Sequence, residues 1–243
     1  MGTLSYNIQR YFKFSGEEIR AMLFGIFVMA FVFSFNDWGE GGFQFFVGIR
    51  NLFNALLIAL LALLVHASMQ RIAALYIGFK AEYRNWLYGL IFSIVLAIVS
   101  RGELLFLAPG GMIAYHMAGH RLGAFRYGIN YWGMSLCAMI GSLANLALAV
   151  LFKVLLSLAP TNLLLKQAFI FNLLLAVFTM LPIPPLNGSH LFFVSRLTYA
   201  FSFTSIVAMA ALLYFFGIFI ALFVGLLIGV VCWQAYYWIF EAT

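Results

Sequence analysis

The chain has 243 residues, 65% of them hydrophobic and 8% charged, and its mean hydropathy is +1.06. An ordinary soluble domain, with about a quarter of its residues charged, is excluded. The net charge of +6 rests on thirteen Lys and Arg residues that lie mostly near the ends of apolar stretches, a pattern that suits membrane lipid and not nucleic acid.

This length leaves room for about six spans of roughly 20 residues each. No Ser-, Pro- or Gly-rich linker divides the chain. The expected fold is therefore an all-α polytopic membrane protein, one integral-membrane domain over residues 1–243, with a small strand or loop insertion. Residues 1–20 form its N-terminal interfacial segment, in which Leu4 to Arg10 alternates at period two and reads as a strand or as interfacial chain, not as a cleavable signal. Ser15-Gly16-Glu17-Glu18 is a capping-box pattern that starts a helix. The core, residues 21–181, opens with a span from Ala21 to Phe35. Arg10, Lys13 and Arg20 precede this span while Asp37 and Glu40 follow it, which predicts a cytoplasmic N-terminus in the plasma membrane.

A second span, Asn51 to Gln70, closes on Arg71, Lys80 and Arg84 and so returns to the same face. His66 and Gln70 are one helical turn apart on one side of it. Asn85 to Ser100 is apolar but short for a crossing. Residues 101–130 contain Pro109 and several glycines and read as strand and turn, compatible with a crossing or with a re-entrant hairpin. Tyr127 to Phe152 and Gln167 to Leu181 are further spans, the first with Gly141 and Asn145 near its middle, and Asn145, Asn172 and Thr179 give the bundle a polar interior. The two cysteines, Cys137 and Cys232, lie in apolar segments and read as buried thiols.

Leu181-Pro182-Ile183-Pro184-Pro185-Leu186-Asn187-Gly188 then breaks the helix, because proline lacks a donor and clashes with the preceding turn. Non-helical backbone at membrane depth survives only inside protein or against a water-filled cavity, so this loop, residues 182–190, marks a candidate site. In the C-terminal spans, residues 191–243, a single helix from Thr204 to Phe240 would be about 55 Å long against a core of roughly 30 Å. A break near Gly217 or a strong tilt is predicted. Gly225 and Gly229 have helix-pairing spacing, and Trp233, Tyr236, Tyr237 and Trp238 suit an interfacial aromatic belt.

The proline loop, Gly141-Ser142-Leu143-Ala144-Asn145, Leu107-Ala108-Pro109-Gly110 and the stretch from Tyr76 to Trp86 together resemble the site-2 protease family of intramembrane zinc metalloproteases, in particular its archaeal branch. The resemblance implies that the family's His-Glu-x-x-His helix corresponds to His66-Ala67-Ser68-Met69-Gln70, and its Leu-Asp-Gly to Leu186-Asn187-Gly188. His66, Gln70 and Asn187 then stand at the metal positions, Ala67 at the general base, and Thr179 where the family has a substrate-holding asparagine. Asn145, Thr179, Pro182, Pro184 and Pro185 correspond to a groove for a transmembrane segment. Four of the five chemical positions depart from the family pattern.

Those departures bear directly on the chemistry. A zinc peptidase needs a metal with an open position and a carboxylate base, and losing general acid–base help alone lowers rates by about 10²–10⁴. Gln70 and Asn187 offer neutral amides, which suit hard cations better than zinc. Two functional classes follow: a non-catalytic homologue without a cofactor that binds or regulates membrane partners, or a divergent zinc peptidase with a rearranged metal set. A transporter or channel ranks third, since charged residues along an ion path are missing. Of the other histidines, His116 and His120 suit headgroup water, and His190 a helix cap or a neighbouring carbonyl. With no metal between them, His66, Gln70 and Asn187 are expected to pair with one another or with water.

Overall fold

The computed structural model describes residues 2–39, 42–116 and 131–242. Its first element is a helix, α1 (Gly2–Tyr11), which rules out the strand, though not the interfacial segment, that the period-two pattern suggested. No described strand lies beside it, and a helix satisfies its own backbone groups at an interface where a lone strand would leave them open. Asn7 ties α1 to the body by donating to the Leu75 carbonyl at 3.3 Å.

Helix α2 (Gly16–Phe33) starts at the expected capping box, with the Glu18 N–H donating to Ser15 Oγ at 3.2 Å and the Ser15 N–H to Glu18 Oε2 at 3.3 Å. The next helix, α3 (Phe45–Ile77), has 33 residues, beyond the predicted span at both ends. It leads directly into β1 (Phe79–Asn85), which pairs antiparallel with β2 (Gly110–His116). A strand in the expected insertion is thus present at β2, whereas β1 was not anticipated. Its alternation is nevertheless plain, with Phe79, Ala81 and Tyr83 buried and Lys80, Glu82 and Arg84 turned outward.

Between the strands runs α4 (Leu87–Val99), whose 13 residues reach only about 20 Å, short of a hydrocarbon core of roughly 30 Å. Asn85 stands opposite Gly110 in the ladder, and the Trp86 N–H donates to the Pro109 carbonyl at 3.0 Å. The chain therefore returns to the level it left. His120 and the rest of 117–130 lie outside the described residues, as does the His116 side chain.

Helices α5 (Tyr131–Leu158) and α6 (Leu163–Phe178) follow, and then, past the proline loop, α7 (Asn187–Val194), α8 (Arg196–Phe215) and α9 (Ile218–Phe240). The break predicted near Gly217 is there: Gly217 is the N-cap of α9. Among the described residues, four helices, α3, α5, α8 and α9, are long and apolar enough to cross a membrane, with α4 and α6 as shorter apolar helices. This is fewer than the six full spans expected. The proline loop stops α6 at 16 residues, and α2 carries Glu17, Glu18 and Arg20 in its opening turns.

Helices α3, α5 and α6 pack against one another. One apolar cluster joins α2, α3 and α6 through Met29, Leu63, Phe171 and Leu175, and a second joins α5, α6 and α8 through Leu146, Phe169 and Ile206. Helix α9 leans on α8 alone among its strong contacts and buries only Ala221, Gly225 and Gly229.

Candidate functional site

His66 on α3, Asn145 on α5 and Asn187 at the start of α7 meet in the interior, at 2%, 0% and 0% exposure. The proline loop delivers Asn187: α6 ends at Phe178, the chain turns through Leu181 to Leu186, and the Gly188 N–H returns to the Thr179 carbonyl at 3.0 Å.

A directed chain of hydrogen bonds runs through these residues. The Met112 N–H on β2 donates to Asn187 Oδ1 at 3.2 Å, so the Asn187 amide turns its Nδ2 to His66 Nε2 at 2.8 Å. That nitrogen accepts, and the ring proton is therefore on Nδ1, which donates to Asn145 Oδ1 at 2.6 Å. Asn145 Nδ2 donates in turn to the Ala62 carbonyl at 3.1 Å and to Asn172 Oδ1 at 2.9 Å. Asn172 Nδ2 ends the chain on the Ala168 carbonyl at 2.8 Å. A backbone donor at one end and a backbone acceptor at the other fix the amide orientations and the imidazole tautomer together.

Gln70 does not join this chain. It is 3% exposed and donates to the Ala138 carbonyl at 2.9 Å, so the expected three-residue network reduces to His66 and Asn187, with asparagines as the remaining partners. Gly141 makes the convergence possible: a Cβ there would lie 2.5 Å from His66 Nε2 and 2.8 Å from Gln70 Nε2. Ala67 is buried among apolar neighbours of the first cluster.

The proposed groove residues do not form one surface. Asn145 and Thr179 are buried and internally paired, with Ser142 Oγ bonded to Thr179 Oγ1 at 2.8 Å and Thr179 Oγ1 donating to the Leu175 carbonyl at 2.7 Å. Pro182, Pro184 and Pro185 are exposed. His190 is half-buried and its carbonyl accepts from Ser135 Oγ at 2.9 Å; the N-cap of α7 is Leu186, with no side-chain cap.

Two participants were out of reach of sequence reasoning. Met112 contributes a backbone N–H, which leaves no mark on residue type, and the Ala138 carbonyl that takes Gln70 is equally silent. Ser142, by contrast, lies inside a word that already stood out.

The chain is 32% identical over 187 residues to a protein of Methanocaldococcus jannaschii provisionally named a zinc metalloprotease, with 73% of this chain and 84% of that protein covered. The chain belongs to the zinc metalloprotease family of that relative. No family model matches the sequence, and no solved structure matches it.

Zinc peptidase centres take three nitrogen or oxygen ligands, leave one position open and need a base beside it. The donors present here are one imidazole and two amides, and among the described residues no group of three or more His, Cys, Asp or Glu side chains could hold a metal. The His66 lone pair that would face an ion is occupied by the Asn187 N–H, and Ala67 supplies no base. This donor set does not fit the zinc that the family implies.

Proposed function

We propose that the chain is a non-catalytic member of the site-2 branch of intramembrane metalloproteases, of the archaeal type, that acts by binding or regulating membrane partners. The observation that carries this reading is the hydrogen bond from Asn187 Nδ2 to His66 Nε2 at 2.8 Å. An amide proton occupies the lone pair through which an imidazole would bind zinc, and it does so in a fully buried site. Water activation then has neither a Lewis acid nor a base in the residues at hand.

A transmembrane segment of another protein is the partner that suits the proline loop, whose Pro182, Pro184 and Pro185 are exposed together with Ile183 at 40%. Prolines offer carbonyls without competing N–H donors, so an incoming backbone finds acceptors there.

Elemental analysis of the purified protein tests the catalytic half of this reading. Zinc far below one per chain is expected, and stoichiometric zinc overturns the proposal in favour of a divergent peptidase with a rearranged metal set. A photo-crosslinker in place of Ile183 tests the other half: adducts with membrane polypeptides are expected, and adducts with lipid alone would remove the case for a protein partner.

A further inference from the structure

A cleft of about 580 Å³ opens at the opposite end of the bundle from the strands, among the last turns of α5, the first turns of α6 and the end of α8. Leu156, Phe169, Ile170 and Tyr214 give it an apolar floor, and Lys153 and Lys166 stand at its margin. None of the residues lining it is acidic.

Lys153 is held in place. Its amine donates to the Leu213 and Phe216 carbonyls at the end of α8 and lies 5.6 Å from the centre of the Phe169 ring. Capping those carbonyls explains why a lysine is ordered there, but it uses two of three donors and neutralises no charge. Lys166 is exposed. The cleft thus combines two cationic groups with an apolar floor and no counter-ion of its own.

Its depth matters. Lys153 is about 13 Å along the helix from the midpoint of α5, whereas half a hydrocarbon core is about 15 Å. With α5 centred in a bilayer, the Lys153 amine would lie near the level where headgroup phosphates meet acyl chains.

We infer that this cleft is a binding site for an anionic phospholipid, with the phosphate between Lys153 and Lys166 and an acyl chain over Phe169, Ile170 and Tyr214. Charge complementarity selects the head and the apolar floor selects a lipid over a free anion. The site is independent of the metalloprotease-like centre and of the reading proposed for it.

Native mass spectrometry of the detergent-purified protein, titrated with phosphatidylglycerol or with phosphatidylcholine of the same chains, tests the inference. The wild-type chain is expected to hold phosphatidylglycerol more tightly. Lys166→Gln should weaken that binding about fivefold, the worth of one lysine near an anionic surface. Because Lys166 is exposed, the variant should fold, and a matching melting temperature checks this. Lys80→Gln removes the same charge from β1 and should leave the affinity unchanged. Equal affinity for the two lipids, equal weakening by both variants, or displacement of the lipid by inorganic phosphate at the same concentration would each overturn the assignment.

Discussion

Asparagine at 187 differs from aspartate by an NH2 group in place of one oxygen, and that exchange sets the direction of the bonds around His66. A carboxylate could still accept from the Met112 N–H but could not donate to Nε2, so Asn187→Asp leaves a buried lone pair facing an anion. We expect a loss of about 1–3 kcal/mol, read as a lower melting temperature near pH 8 in detergent. Adding Ala67→Glu and Gln70→His should convert that loss into zinc uptake measurable by elemental analysis, with little effect from any single change. If the triple variant takes up no zinc, the backbone has moved away from ligand geometry. Gly141→Ala drives a methyl into His66 and Gln70 and should cost about 1–3 kcal/mol through overpacking; an unchanged melting temperature contradicts the close approach. His190 carries a pH dependence. Burial lowers its pKa, with a bond to the Met112 backbone acting in the opposite sense. The unfolded chain, titrating near about 6.5, therefore binds the proton more tightly than the folded one. The contribution of His190 is complete above that pH and is lost as the pH falls through it toward the lower folded value. His190→Asn should flatten the fall in melting temperature between about pH 7 and pH 5 relative to the wild-type chain.

Glu18 joins three elements at once. It caps α2, accepts from the Tyr83 N–H of β1 at 2.8 Å and pairs with Arg71 of α3, both side chains being 2% exposed. Arg71 also donates to the Lys13 carbonyl and lies 4.1 Å from the centre of the Phe14 ring. Arg71→Met strands a buried carboxylate and should cost about 3–5 kcal/mol, whereas Glu18→Gln with Arg71→Met should recover part of it; a double variant no more stable than the single one argues against the pair. The sequence marked the capping box correctly but read Arg71 as a cation at a span end. Residue type cannot reveal a buried partner 53 positions away. For β1 the alternation of Phe79, Ala81 and Tyr83 with Lys80, Glu82 and Arg84 is legible in the sequence. His66 and Asn187 were brought together by motif resemblance, since nothing local predicts a contact between residues 121 positions apart. At α8 and α9, arithmetic on length was enough to require a break. The Gly225 and Gly229 spacing also holds, since a Cβ at Gly229 would lie 1.8 Å from Ser205 Oγ.

For the whole molecule, Arg10, Lys13, Arg20, Arg71, Lys80, Arg84 and Arg196 lie, among the described residues, toward the end that holds α1 and the two strands, while Arg50, Arg101, Lys153 and Lys166 lie toward the other. The asymmetry predicts that the end with the strands faces the cytoplasm. A single cysteine placed at Glu82 should be labelled by an impermeant maleimide only in inverted vesicles, and labelling in right-side-out vesicles would reverse the orientation. One further property follows from the directed bonds between Met112 and Ala168. Every link from the Met112 N–H to the Ala168 carbonyl is supplied by the polypeptide itself. A centre completed by an ion waits on delivery after synthesis and can be stripped by a competitor or mis-loaded with the wrong element. On the metal-free reading proposed above, the last piece is Asn187 and arrives with translation, so completion of this interior would not depend on the supply of a trace element.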